Sequence, residues 1–207
     1  MKGSLLIVLI FCVGIAIGYS GVLPEATDLS DWSMGVLYIL IAIIGFEFGH
    51  KNLIPTLSKI TKKSLLIPFL TIGGTLLGAT LAFILLRDYP LHDYLAMGSG
   101  LGYYSLAPLL IIDFKKGAAG LDFATELATI TLMANMVREM LALTCAPVFK
   151  KLFGFYSPIC ASGVASIDVV LPVIIRTCGN DAIPLAIVQG VVLEIAVPSL
   201  VFIFCSI

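Results

Sequence analysis

Long apolar runs, most of them close to the roughly 20 residues that a membrane-spanning helix needs, leave this chain few folds to choose from. Seven can be placed: Ser4–Leu23, Ser33–Gly49, Ser64–Leu86, Tyr94–Ile112, Phe123–Phe149, Pro158–Ile175 and Ala182–Ile207. Short clusters of charge separate them. Charged residues make up only 12% of the chain against 59% hydrophobic, and the mean hydropathy is +1.09. That is too little charge to cover the surface of a soluble domain. The runs also lack the amphipathic periodicity that a soluble protein with an unusually apolar core would need. The expectation is an all-α polytopic membrane protein, one domain over residues 1–207, with no soluble domain and no long linker.

A net charge of −1 gives no reason to expect a nucleic-acid partner. Lys2 and the first apolar run resemble the start of a signal peptide, but no small-x-small cleavage site follows, so the run reads as a retained helix. Five scattered cysteines (Cys12, Cys145, Cys160, Cys178, Cys205) form no CxxC pair and read as small residues in packed helices. His50 and His92 fall in loops, so no metal cage is expected inside the membrane, and no cofactor.

Lysine and arginine set orientation. Lys51, Lys59, Lys62 and Lys63 crowd the loop from His50 to Lys63, after an acidic loop with Glu25, Asp28 and Asp31. This puts the basic loop in the cytoplasm, with Lys2 on the same side. Farther on there is a conflict, because Lys115–Lys116 and Lys150–Lys151 flank a single apolar segment. If Tyr94–Ile112 crosses fully, the second pair is external; if it dips in and returns, the first pair is.

That segment is interrupted. It contains Met97-Gly-Ser-Gly-Leu-Gly-Tyr-Tyr-Ser-Leu-Ala-Pro108, where Gly98, Gly100 and Gly102 oppose helix propagation and Pro108 removes a donor. Ala161-Ser-Gly-Val-Ala-Ser-Ile-Asp-Val-Val-Leu-Pro172 has the same texture. Paired interruptions point to a transporter's binding site, since irregular backbone at membrane depth is tolerated only where protein or a watery cavity surrounds it. The plain alternative is close helix packing through small residues.

Asp168 lies inside the second interruption, flanked by Ile167 and Val169–Leu171, where an ionised carboxylate needs partners. It could exchange a proton, or cap a half-helix after Ser166. Asn135, Arg138 and Glu139 share neighbouring faces of the fifth segment, and an arginine and a carboxylate there can neutralise each other or Asp168. Glu126 near that segment's start, and Glu47, read as boundary residues. Gln189 and Glu194 stand among aliphatic residues in the last segment, and Glu194 could pair with Arg138 or Arg176. An intramembrane hydrolase would need a nucleophile with a base, or two facing aspartates, and only Asp168 among the aspartates is clearly at depth. The chain is therefore not expected to be an enzyme.

These stretches resemble the bacterial lysine exporter (LysO) family. Gly100-Leu-Gly-Tyr-Tyr-Ser-Leu106 looks like its Gly-Phe-Gly-Trp-Tyr-Ser-Leu, and Asn135-Met-Val-Arg-Glu139 like its Asn-Asp-Leu-Ala-Arg-Glu. Ala165-Ser-Ile-Asp-Val-Val-Leu-Pro172 resembles Thr-Ser-Met-Asp-Phe-Thr-Leu-Pro, and Ala186-Ile-Val-Gln-Gly190 resembles Ala-Ile-Val-His-Gly. The resemblance implies export of L-lysine and its analogues from the bacterial cytoplasm. It also implies a fold similar to sodium/proton antiporters and bile-acid transporters, where two broken helices cross near the midplane. The family's intramembrane aspartate falls on Asp168. Three departures stand out. About three N-terminal helices and a glutamate of the family have no counterpart, with Gly3 near the glutamate's place. Gln189 replaces a histidine, and Glu194 replaces a small polar residue. The resemblance thus implies a small membrane protein that supplies the helices, or a homodimer.

The expected activity is proton-coupled lysine export by alternating access in the bacterial inner membrane. Asp168, with Glu139 or Glu194, would neutralise an ammonium group. Half-helix N-termini near Gly100–Gly102 and Gly163–Ser166 would meet the carboxylate, and Tyr103, Tyr104 and Ser105 would line the pocket. A monovalent-cation/proton antiporter, or a carrier of another small amino acid or organic ion, is the alternative.

Overall fold

The computed structural model describes residues 62–207, together with Val13, Ala16 and Ile17, which are helical. The rest of segments Ser4–Leu23 and Ser33–Gly49, and the loop from His50, lie outside the described residues. The chain falls into two units, Met1–Lys51 and Asn52–Ile207, and every element below belongs to the second. Among the described residues there are seven α-helices and no strand: α1 (Lys62–Leu86), α2 (Leu91–Gly98), α3 (Ala107–Ala119), α4 (Leu121–Phe153), α5 (Ser157–Ser162), α6 (Leu171–Cys178) and α7 (Ile183–Cys205). A 3-10 turn over Gly163–Ile167 follows α5, and another over Asn180–Ala182 precedes α7.

Three stretches are long and apolar enough to cross a membrane: Leu65–Leu86, Leu121–Phe153 and Asn180–Cys205. In α1 the hydroxyls of Thr71, Thr75 and Thr80 donate to Ile67, Leu76 and Thr71 carbonyls one turn back, in the pairs Thr71–Ile67, Thr75–Thr71 and Thr80–Leu76. Each polar side chain is thereby satisfied where no water is at hand. Leu66, Phe69, Leu70, Leu77, Leu81 and Leu85 of α1 are exposed, as a lipid-facing side requires.

Each of the two interrupted segments doubles back on itself. Pro90 precedes α2, which is only 8 residues long, about 12 Å at helical rise. After the irregular stretch 99–106 the chain turns back as α3. Lys115 of α3 then reaches Asp93 of α2, Nζ to Oδ1 2.7 Å, a contact that a straight segment would hold some 30 Å apart. α5 and α6 repeat the pattern. Cys178 Sγ, at the end of α6, donates to Phe155 O just before α5 at 3.4 Å, and Lys150 Nζ donates to Thr177 O at 2.6 Å. Both segments fold back on themselves as hairpins. Of the two courses left open for Tyr94–Ile112, the chain takes the returning one, so the described residues hold three helices long and apolar enough to cross a membrane and two hairpins. The first limbs are too short to traverse the bilayer, and positive φ angles at Leu101 (48°), Gly102 (96°) and Gly163 (60°) reverse the chain.

The hairpins enter from opposite ends. At the mouth of the first, Phe83 of α1 and Tyr94 lie edge to face at 6.0 Å, Tyr89 packs on Phe123 of α4 at 6.0 Å, and Phe114 meets Phe202 of α7 at 5.3 Å. At the mouth of the second, Ile67 of α1, Ala142 of α4, Ile159, Ile174 and Ala186 of α7 share one buried cluster. The Tyr89 hydroxyl donates to Glu126 Oε1, so Glu126 is a boundary residue, and that bond pushes the Tyr89 phenol up to about 12.

Asp93 and Lys115 are both buried, at 1% and 5% exposure, and their contact is an ion pair off the line of a hydrogen bond. Removing one partner of a buried pair leaves an uncompensated charge, at a cost of about 3–5 kcal/mol, whereas replacing both can be nearly neutral. Lys115→Met is therefore expected to lower thermal stability in detergent sharply, and Asp93→Asn added to it to restore most of the loss. Additive losses in the double variant would show that the pair does not hold the hairpin.

Candidate functional site

The tips of the two hairpins touch. Val164 N–H donates to Leu101 O at 3.0 Å, joining the interruptions directly through backbone. A side chain at Gly163 would collide with the Leu101 carbonyl, and one at Gly102 would come within 3.2 Å of Ser162 O. Irregular backbone inside the bilayer is here buried against other irregular backbone.

One turn of α4 lies beside this junction. Asn135 Oδ1 accepts from Gly102 N–H at 2.7 Å, while its Nδ2 donates to Thr131 O at 2.9 Å. Gly100 is packed so closely on Asn135 Nδ2 that a side chain there would overlap it. Arg138 turns to the other tip: Nε donates to Ala161 O at 3.0 Å and Nη2 to Cys160 O at 3.1 Å, carbonyls in the last turn of α5. A cation at a helix C-terminus, bonded to its orphan carbonyls, is favourable. Arg138 Nη1 donates to Thr75 Oγ1 of α1 at 3.2 Å.

Glu139 follows, 5% exposed, and its Oε2 has no hydrogen-bond partner among the described residues. Tyr104 and Asp168 lie within electrostatic reach of it and of each other, so the tips bring one phenol and two carboxylates together. Asp168 closes the 3-10 turn and accepts Val169 N–H at 2.5 Å. It is exposed, a correction to the burial expected from its apolar neighbours. A carboxylate exposed inside the bilayer must face water or protein rather than lipid.

The other expected residues are more scattered. Tyr103 is buried, and Ser105 half-buried, on the first tip. Ser166 is fully buried and donates to Ala186 O of α7 at 2.9 Å. Gln189 is fully buried too, and its Nε2 donates to Thr71 Oγ1 at 2.8 Å. Glu194 is half-buried on α7. The half-helix N-termini fall at Ala107 and Leu171, after Pro108 and Pro172 fix the first turns; Gly100–Gly102 and Gly163–Ser166 follow the C-termini of the preceding limbs.

Thr71 and Thr75 were not singled out in the sequence, although their spacing of four places both on one face of α1. Asp93 with Lys115 also escaped notice. A cavity of about 440 Å³ opens between α1, α2 and α4, with Thr75, Tyr94, Asn135 and Arg138 in an otherwise apolar wall. Neither Glu139 nor Asp168 lines it, and Arg138 makes it a poor host for a cation.

The model of the family described as lysine exporter LysO matches residues 8–205. An Escherichia coli K12 protein named lysine exporter LysO is 30% identical over 200 residues, covering 94% of this chain and 61% of that protein. A Haemophilus influenzae protein, provisionally named a lysine exporter, is 28% identical over 136 residues, covering 66% of this chain and 64% of its own length. The chain thus spans a little over three fifths of the curated relatives it matches. No solved structure matches it. On the family match alone, which runs over nearly all of its length, the chain belongs to the lysine exporter LysO family.

Proposed function

We propose that this chain exports L-lysine across the bacterial inner membrane by alternating access, with the hairpin tips as the substrate site. The observation that carries the reading is the state of Glu139. It is a buried carboxylate whose Oε2 meets no donor among the described residues, while the arginine beside it is committed to the α5 carbonyls and Thr75. A buried carboxylate without a donor is costly unless a cation arrives. Glu139 and Asp168 would take the side-chain ammonium group of lysine, and Tyr104 would offer its ring face. The N-termini of α3 and α6 would face the substrate carboxylate. Moving a positive charge out against a negative-inside potential costs about 2.3 kcal/mol per 100 mV, which proton entry would offset, with Glu139 or Asp168 as carrier.

Orientation follows from charge. The end of the second hairpin carries Lys62, Lys63, Lys150, Lys151 and Arg176, and is the cytoplasmic one by the positive-inside rule. The first-hairpin end and the C-terminus are then external, and Lys115 and Lys116 there are paired with Asp93 and Asp113. In a background without native cysteines, Lys116→Cys should react with an impermeant thiol reagent on intact cells, and Lys151→Cys only after permeabilisation. The reverse pattern would invert the protein.

The function is tested by equilibrium binding of labelled L-lysine to the purified protein. Saturable binding is expected that unlabelled lysine displaces and norleucine, which lacks the side-chain ammonium group, does not. Equal displacement by norleucine would remove the carboxylates from recognition.

A further inference from the structure

Asn135 and Arg138 stand three residues apart on α4, yet each holds a different hairpin. Asn135 grips the first tip through Gly102 N–H, and Gly100 packs against its amide. Arg138 grips the second through Cys160 O and Ala161 O. Its guanidinium carbon lies 3.3 Å from the place a Gly163 side chain would occupy, and its Cδ 3.8 Å from the corresponding place at Gly102. The tips are bonded to each other through Leu101 O and Val164 N–H. Glu139 follows Arg138 directly, so the carboxylate proposed to meet the substrate sits on the same turn as both grips.

The geometry points to Asn135 and Arg138 as positioning residues that tie both hairpin tips and Glu139 into one body, so that access alternates by displacement of that body rather than by opening of a single tip. The purpose rests on the transport reading above, but the mechanical claim does not. A tip that opened alone would have to break the Leu101–Val164 bond together with its own grip on α4, and would leave buried amide and carbonyl groups unpaired at membrane depth. Arg138 also spends one nitrogen on Thr75 of α1, which gives the body a defined resting position against a spanning helix.

Amide hydrogen exchange on the purified full chain in lipid nanodiscs tests this without any substrate. Asn135→Ser shortens the grip on the first tip, and Arg138→Lys keeps the charge but loses the two-pronged hold on the second. Each is expected to speed exchange about tenfold in both 99–106 and 163–170, as loss of such bonds allows, with residues 183–205 of α7 unchanged. Faster exchange confined to the tip that each residue touches would overturn the proposal. So would loss of protection throughout α7, which would make the two residues props of the whole fold. Transport separates position from mere stability: lysine efflux per inserted protein should fall in Vmax with KM held. An unchanged Vmax per inserted protein would leave them no positioning role. Were the chain to carry another substrate, efflux of lysine would be silent while the exchange pattern would still appear.

Discussion

Gly163→Ala is expected to destabilise the protein by about 4 kcal/mol, the sum of strained backbone and steric overlap at one point, each worth about 1–3 kcal/mol. The residue has φ of 60° and ψ of −133°, which a side chain adopts only under strain. Its added methyl would collide with the Leu101 carbonyl oxygen, an atom fixed by accepting from Val164 N–H. Backbone on both sides leaves no flexible side chain to give way. Gly73→Ala is the control, because nothing among the described residues lies within 4 Å of a side chain there, and an alanine in mid-helix is about 1 kcal/mol better than glycine in general. Thermal unfolding in one detergent should place Gly163→Ala far below the parent and Gly73→Ala level with it or above. Matching stabilities would mean that the tips do not touch in the protein.

Glu139→Gln is expected to lower lysine efflux about 100-fold per inserted protein. That ratio corresponds to about 2.7 kcal/mol, the range of a hydrogen bond to a charged group. The same change should leave stability level or raise it, since it removes a buried charge whose Oε2 meets no donor among the described residues. Loss of transport with a gain in stability is the mark of a group kept for function. Efflux and unfolding temperature falling together would instead make Glu139 structural.

The membrane class was legible in the sequence because it rests on length and hydropathy, which tertiary contacts do not alter. The interruptions were legible too, but not their consequence. Glycines at 98, 100 and 102 and the prolines at 108 and 172 read as breaks, which left both a crossing and a returning course open. In the fold, Gly100–Gly102 and Gly163 reverse the chain, while each proline opens the returning limb. Nothing local distinguishes a helix that breaks and continues from one that breaks and returns. That difference is settled by contacts such as Asp93–Lys115, 22 positions apart in sequence, and Phe155–Cys178. The charge pattern could not decide it, because Lys115–Lys116 and Lys150–Lys151 flank one helix and fall at opposite ends whether the segment before them crosses or returns. Arg138 looked like a partner for the nearby acids; its reach to the end of α5 depends on where the second hairpin sits, which spacing along α4 does not reveal. Asp168 looked buried from its neighbours, since an apolar run does not show that a turn will present one of its members outward.

The most direct measurement is efflux of preloaded labelled lysine from cells lacking their own exporter, with this chain and its Asp168→Asn variant expressed to equal inserted levels. The account predicts export above the empty-vector control for the parent and loss of it in the variant. Full export by Asp168→Asn would contradict the carboxylate site at the hairpin tips.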